Sequence, residues 1–309
     1  MSYACKIHAD SLSRHENRLI SLEVTFPRII LDEFYAHCML SRNSAYRQEQ
    51  PVAQNIESAL ARPFIPTCFG ANPPGAPAGG GPDAEDSQAA EDTWLRGRNR
   101  AVVTALELLF GTGCVSPTSP LRDEATRLLA QPVDQRALNA HGQIIGRVLE
   151  PYLWQTIIVT ATQWANFLAL RCSENAQPEI RTIAVMMRAA IDQSTPTPLS
   201  PGQWHLPFVA VDEIDDLRAT GLDPVLVSAG RCARVSYLTD DRRRDPEQDV
   251  ALTDHLRHIG HLSPFEHQGR SMTDDEWGRH SFSGKLRGFV QYRKLIPHES
   301  DFSQTLLTP

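Results

Sequence analysis

An arginine at the end of an apolar stripe has the most chemistry to account for. In the segment 154–181, WQTIIVTATQWANFLALRCSENAQPEIR, residues Ile157, Ala161, Trp164, Leu168 and Arg171 recur at steps of four, three, four and three. That spacing is one face of an α-helix. Thr162, Asn166 and Leu170 lie on an adjacent stripe. Burying a guanidinium unpaired is costly, so Arg171 either snorkels to water or waits for an anion or a carbonyl. A core helix that ends in a solvated arginine gives the same pattern.

Three other stretches carry polar chemistry. GHLSPFEH, 260–267, fits a capping box, with Ser263 at the cap, Pro264 at the first helical position and Glu266 three residues after the cap. Helix capping explains it without further function. His255, His258, His261 and His267 invite a metal reading, but their spacing matches no standard zinc pattern and Gly260 breaks the helix between them. SRNSAYRQEQP, 41–51, is polar, aperiodic and closed by Pro51, which reads as a loop suited to ligand contacts or as an ordinary solvated turn. SGKLRGFVQYRKLIP, 283–297, reads as a short basic helix presenting Arg287, Gln291, Arg293 and Lys294.

The elements that must position these groups follow from pattern. Residues 19–26, LISLEVTF, read as a strand ended by Pro27, and 29–40 as a helix with His37 near its end. A Pro/Gly stretch at 72–82 reads as a surface loop or internal linker. Residues 84–129 are largely helical, interrupted by the turn GTGC at 111–114. Helices are also expected over 139–149, 176–191 and 249–259, with Pro151 opening the central helix at its first turn. Residues 225–238 read as a strand or buried turn region.

The totals bound the class. A length of 309 residues allows one or two domains, and 41% hydrophobic with 22% charged residues is ordinary globular composition. A net charge of -7 argues against a nucleic-acid-coating protein. No apolar stretch reaches the length of a membrane span and the N-terminus has no signal-peptide core, so a cytoplasmic protein is expected. The 6 cysteines are scattered and read there as free thiols.

Three pieces together resemble the flavin-dependent thymidylate synthases, the ThyX family. They are ARVSY (233–237) followed by GHLSPFEH, then NFLALRCSENAQPEIR (166–181), and AHCMLSRNSAYRQE (36–49) as the counterpart of the signature R-H-R-x-x-S-x-N-x-x-S-x-R-Y. The family runs ARVSY, SPFEH, signature, then NFLALR and AQPEIR. This chain runs signature, NFLALR, AQPEIR, ARVSY, SPFEH. The resemblance thus implies a circularly permuted member, tolerated where termini lie close together at the surface. It implies an α+β fold, a mixed or antiparallel sheet with a long central helix and flanking helices, in one domain over 1–309. Its parts are strand, helix and signature loop (1–70), Pro/Gly loop (71–83), a helical part (84–207) and the permuted segment (208–309). The signature itself is altered. R-H-R becomes Ala36-His37-Cys38, Ser41 and Asn43 are kept, and the later serine and arginine align with Tyr46 and Gln48, with Arg47 one position away.

Carried over residue by residue, the resemblance implies a flavin site of Ser236, His261, Ser263 and Glu266, completed by His37, Ser41, Asn43, Thr160, Asn166 and Leu170. Gln291 and Arg293 join it from the C-terminal segment, which is similar to the helix before the family's R-H-R. Arg47 and Arg147 would anchor the nucleotide phosphate, Ser44 and Tyr46 would contact the nucleotide, and Arg171 would read the pyrimidine and stabilise charge developing on it. The implied activity is C5 methylation of UMP, dUMP or both. FAD is the cofactor, and methylenetetrahydrofolate and NADPH are co-substrates. The implied assembly is a homotetramer with active sites between subunits, without nucleic-acid or membrane partners. The alternative is a non-catalytic flavin- or nucleotide-binding relative, favoured by the lost arginines and opposed by the retained Arg147, Arg171 and SPFEH.

Overall fold

The computed structural model describes residues 2–44, 51–69, 84–235, 245–297 and 299–301. The first strands, β1 (Ala4–Leu12) and β2 (Arg18–Pro27), form an antiparallel hairpin. A short helix α1 (Leu31–Tyr35) leads into β3 (Ser41–Ser44). Four helices follow: α2 (Val52–Ala61), α3 (Ala84–Phe110), α4 (Leu121–Leu129) and α5 (Gly142–Leu149). The chain then returns to the sheet as β4 (Trp154–Ala161), followed by α6 (Ala165–Arg171), α7 (Pro178–Gln193) and the two-residue strands β5 (Thr197–Pro198) and β6 (Trp204–His205). Helices α8 (Glu213–Ala219), α9 (Pro224–Arg234) and α10 (Pro246–His258), a 3-10 turn at Ser263–Glu266, and strands β7 (Gly269–Ser271) and β8 (Phe289–Gln291) complete it. The main sheet is mixed, in the order β3-β4-β2-β1-β5, with only the β1–β5 pair parallel. A second sheet runs β6-β7-β8.

The pleat sorts the sheet's two faces. In β2, Ile20, Leu22, Val24 and Phe26 alternate onto one face and are sealed from water. With Ile157, Val159 and Ala161 of β4 they pack against Phe34 of α1, Phe167 of α6 and Ile180, Ile183, Ala184 and Met187 of α7. On the opposite face Ile158 meets Cys232 and Val235 at the end of α9. The helices α2 to α5, inserted between β3 and β4, enclose a separate core around Ile56, Val102, Leu106, Ile145 and Leu149. Among the described residues no helix is long and apolar enough to cross a membrane.

Several sequence expectations need correction. The long central helix over 154–181 is not formed: its first part is β4, and helix begins only at Ala165. Thr156, Ile157, Ile158, Val159 and Thr160 are five successive β-branched residues, and their stiffness at χ1 favours a pleated surface over a helix. Residues 41–44 of the loop expected at 41–51 form the strand β3, 45–50 lie outside the described residues, and Pro51 is the N-cap of α2. Residues 224–234 are helical, capped by Asp223, whose carboxylate accepts from the Val225 amide at 2.9 Å with Pro224 at the first turn. The basic helix expected over 283–297 is instead β8 followed by a 3-10 turn, Tyr292–Leu295. The helix expected over 29–40 is cut to a 3-10 turn and the five residues of α1.

Candidate functional site

The edge strand β3 divides the candidate residues. Ser41 and Asn43 pair with Thr160 and Ile158 of β4, so their side chains share the face turned to α9 and the SPFE turn. Arg42, paired with Val159, takes the other face, toward α1 and α6.

On the α6 face, Arg171 has its partner. Its Nε donates to His37 Nε2 at 2.9 Å, and Nη2 reaches the Glu33 carbonyl at 3.4 Å. Burial first, and then the charges of Arg171 and Arg42, push the His37 pKa down. The ring is therefore a neutral acceptor at Nε2, with its proton on Nδ1. Phe167 meets it edge-on with centroids 5.0 Å apart. Arg42 donates from Nη1 to the Phe34 carbonyl at 2.7 Å and lies 4.7 Å from the centre of the Tyr35 ring. Both guanidiniums thus hold carbonyls of the last turn of α1, where a cation is favoured. Neither forms an ion pair with a carboxylate among the described residues. Beside them opens a cleft of about 660 Å³, walled by His37, Cys38, Met39, Thr162, Gln163 and Asn166 among others. That is within the range of small-molecule and cofactor sites. Asn166 and Leu170 are exposed on α6.

The second face gathers groups from both ends of the chain. Asn43 Nδ2 donates to the Cys232 carbonyl at 3.0 Å, and Asn43 Oδ1 accepts from Ser263 Oγ at 3.2 Å. Ser263 also lies 3.3 Å from His261 Nε2. Its hydroxyl does not cap a helix; the capping box is replaced by a 3-10 turn without a side-chain cap. Gln291 donates to Ser41 Oγ at 3.2 Å and to the Glu266 carbonyl at 2.9 Å. Burial alone would raise the Glu266 pKa, but Lys285, His267 and Arg293 outweigh it and hold the carboxyl below its ordinary value. Arg293 pairs with Glu266 at 2.5 Å and with Glu299 at 3.0 Å.

Other expected contacts fall elsewhere. Thr160 has no exposure and its hydroxyl is taken up by Ser21 and His267. Arg147, on α5, pairs with Glu150 at 3.0 Å on the helical insertion. Tyr46, Arg47 and Ser236 lie outside the described residues, and Ser44 ends β3. No group of three or more His, Cys, Asp or Glu gathers as a metal site among the described residues. Sequence reasoning missed Arg42, although the alternation in S-R-N-S places it opposite Ser41 and Asn43 once the segment is read as a strand.

No family model and no curated protein sequence matches this chain. Among solved structures it is similar to a UMP/dUMP methylase, PolB from Streptomyces cacaoi, bound with 5-Br UMP. The identity is 17% and the TM-score 0.40, covering 62% of this chain and 89% of that chain. A likeness this remote assigns no activity to the chain.

Proposed function

We propose that the chain is a flavin-dependent methylase acting at C5 of a uridine nucleotide, UMP or dUMP. Methylenetetrahydrofolate is the one-carbon donor and NADPH the reductant. The supporting observation is the meeting of motif pieces far apart in sequence. Ser263 bonds Asn43 across 220 residues, and Gln291 ties Ser41 to the Glu266 carbonyl. A circular permutation of the family order accounts for such pieces arriving at one strand from opposite ends of the chain.

The residues present fit a flavin. The cleft has room for a planar ring system, and the amides of Gln163 and Asn166 and the Thr162 hydroxyl would bond its polar edge. Arg42, beside the cleft, would supply positive charge for its diphosphate. When bound and reduced, FAD supplies the hydride that completes the methyl group. The protein's own part is placement and electrostatics. With Nε held by His37, the Nη1 group of Arg171 is uncommitted among the described residues and would donate to a pyrimidine carbonyl as negative charge grows there. His37 fixes the plane in which that donor lies. Met39 in the cleft wall, and Tyr35 and Leu170 on the flanking helices, are exposed apolar groups that suit a subunit contact beside the cleft, as in a homotetramer.

The test is incubation of purified protein with FAD, NADPH, methylenetetrahydrofolate and either UMP or dUMP, with nucleotide masses read at the end. A gain of one methylene unit on either nucleotide is expected. No gain on either overturns the proposal. A yellow protein that binds FAD yet methylates neither would instead support the non-catalytic flavin-binding reading, which the altered signature favours.

A further inference from the structure

Five buried side chains form one hydrogen-bonded chain across the second face of the main sheet. In order they are Ser11, His205, Ser21, Thr160 and His267, joined at 2.8, 2.8, 2.6 and 2.9 Å. They come from β1, β6, β2, β4 and the residue after the SPFE turn. Ser11 is the most exposed at 5%, His205 shows 1% and the other three none. Past the last link, His267 Nε2 is buried and without a hydrogen-bond partner among the described residues. Burial outweighs the attraction of Asp10 for His205 and of Glu266 for His267, and pushes their pKa values down to about 3 and about 4. Both rings are neutral.

Neutral rings and hydroxyls contribute one proton each, so five protons serve four links. One proton has no acceptor within the chain. An unpaired donor costs most where it is sealed from water, so the surplus falls to Ser11. Every link then points the same way. His267 Nδ1–H donates to Thr160, Thr160 to Ser21, Ser21 to His205 Nε2, and His205 Nδ1–H to Ser11. What remains unpaired at the far end is a lone pair on His267 Nε2. Buried acceptors go unpaired at lower cost than buried N–H donors.

We propose that this chain holds His267 in one tautomer, with an Nε2 lone pair presented to a hydrogen-bond donor that none of the described residues supplies. The partner is a donor by chemistry: a bound water, or the N–H or O–H of a ligand. A carbonyl oxygen is accepted there only if all four links reverse together. The inference stands on the chain alone and is independent of the methylase proposal.

The test is long-range 1H–15N correlation on full-length protein labelled at histidine, with the rings assigned through His205→Gln and His267→Gln. In the unaltered protein both rings are expected to be neutral and protonated at Nδ1. An Nε2–H form of either ring contradicts the direction of the chain and overturns the proposal.

Discussion

Arg171 and His37 constrain each other. The guanidinium needs an acceptor at its half-buried end, and the imidazole can accept only while neutral. His37 is disfavoured as a cation by burial and then by Arg171 and Arg42. Removing one of those charges has a definite sign: Arg171→Gln is expected to raise the His37 pKa toward the ordinary value of about 6.5. An NMR titration reads it, and an unmoved His37 would mean that the Arg171 charge is not felt there. If Arg171 is also the donor to the pyrimidine, Arg171→Lys loses the fixed fork and is expected to lower turnover by about 10²-fold or more, with product formation as the readout. The need for a partner at Arg171 was legible in its place on an apolar stripe. The identity of the partner was not, because the contact joins residues 134 apart in sequence. Arg42 was hidden for a related reason: its face is defined only once the neighbouring strand is known.

At the scale of elements, two local signals competed in 154–161. Helical spacing of apolar residues pointed one way and an unbroken β-branched run the other, and the pairing of eight residues with β2 decided for the strand. For α9 the Asp223-Pro224 start was present in the sequence but was outweighed by the valines that follow it. That helix also carries a close approach: a Cβ placed on Gly230 would lie 2.4 Å from the Asp249 carbonyl oxygen of α10. Asp249 is in turn clasped by Arg231 at 3.2 Å and Arg234 at 2.6 Å. Gly230→Ala must push α10 away and stretch both pairs. It is expected to lower stability by roughly 1–3 kcal/mol, read as a lower urea midpoint. An unchanged midpoint would show that α9 and α10 are not in contact through this glycine.

For the whole molecule, the buried histidines set the response to acid. Their folded-state pKa values, about 3 for His205 and about 4 for His267, lie below the unfolded value. The unfolded chain therefore takes up these protons first as pH falls. Their contribution to stability is complete above a pH of about 6.5 and is lost as pH falls below it toward the folded values. The urea midpoint is expected to drop steadily between neutral pH and about pH 4, and His267→Gln should flatten part of that slope. The larger architecture was only partly legible. The motif pieces could be listed from the sequence, but not their division between two faces of one edge strand, which depends on the β3–β4 register. The central claim is that the cleft on the α6 face holds a flavin acting on a uridine nucleotide. The most direct measurement is anaerobic. Protein loaded with FAD is bleached with NADPH, and the visible absorbance is followed as methylenetetrahydrofolate and UMP or dUMP are added. The yellow colour is expected to return only when nucleotide and folate are both present, and to stay bleached in Arg171→Ala. A protein that takes up no FAD, or whose colour returns without the nucleotide, would contradict the claim.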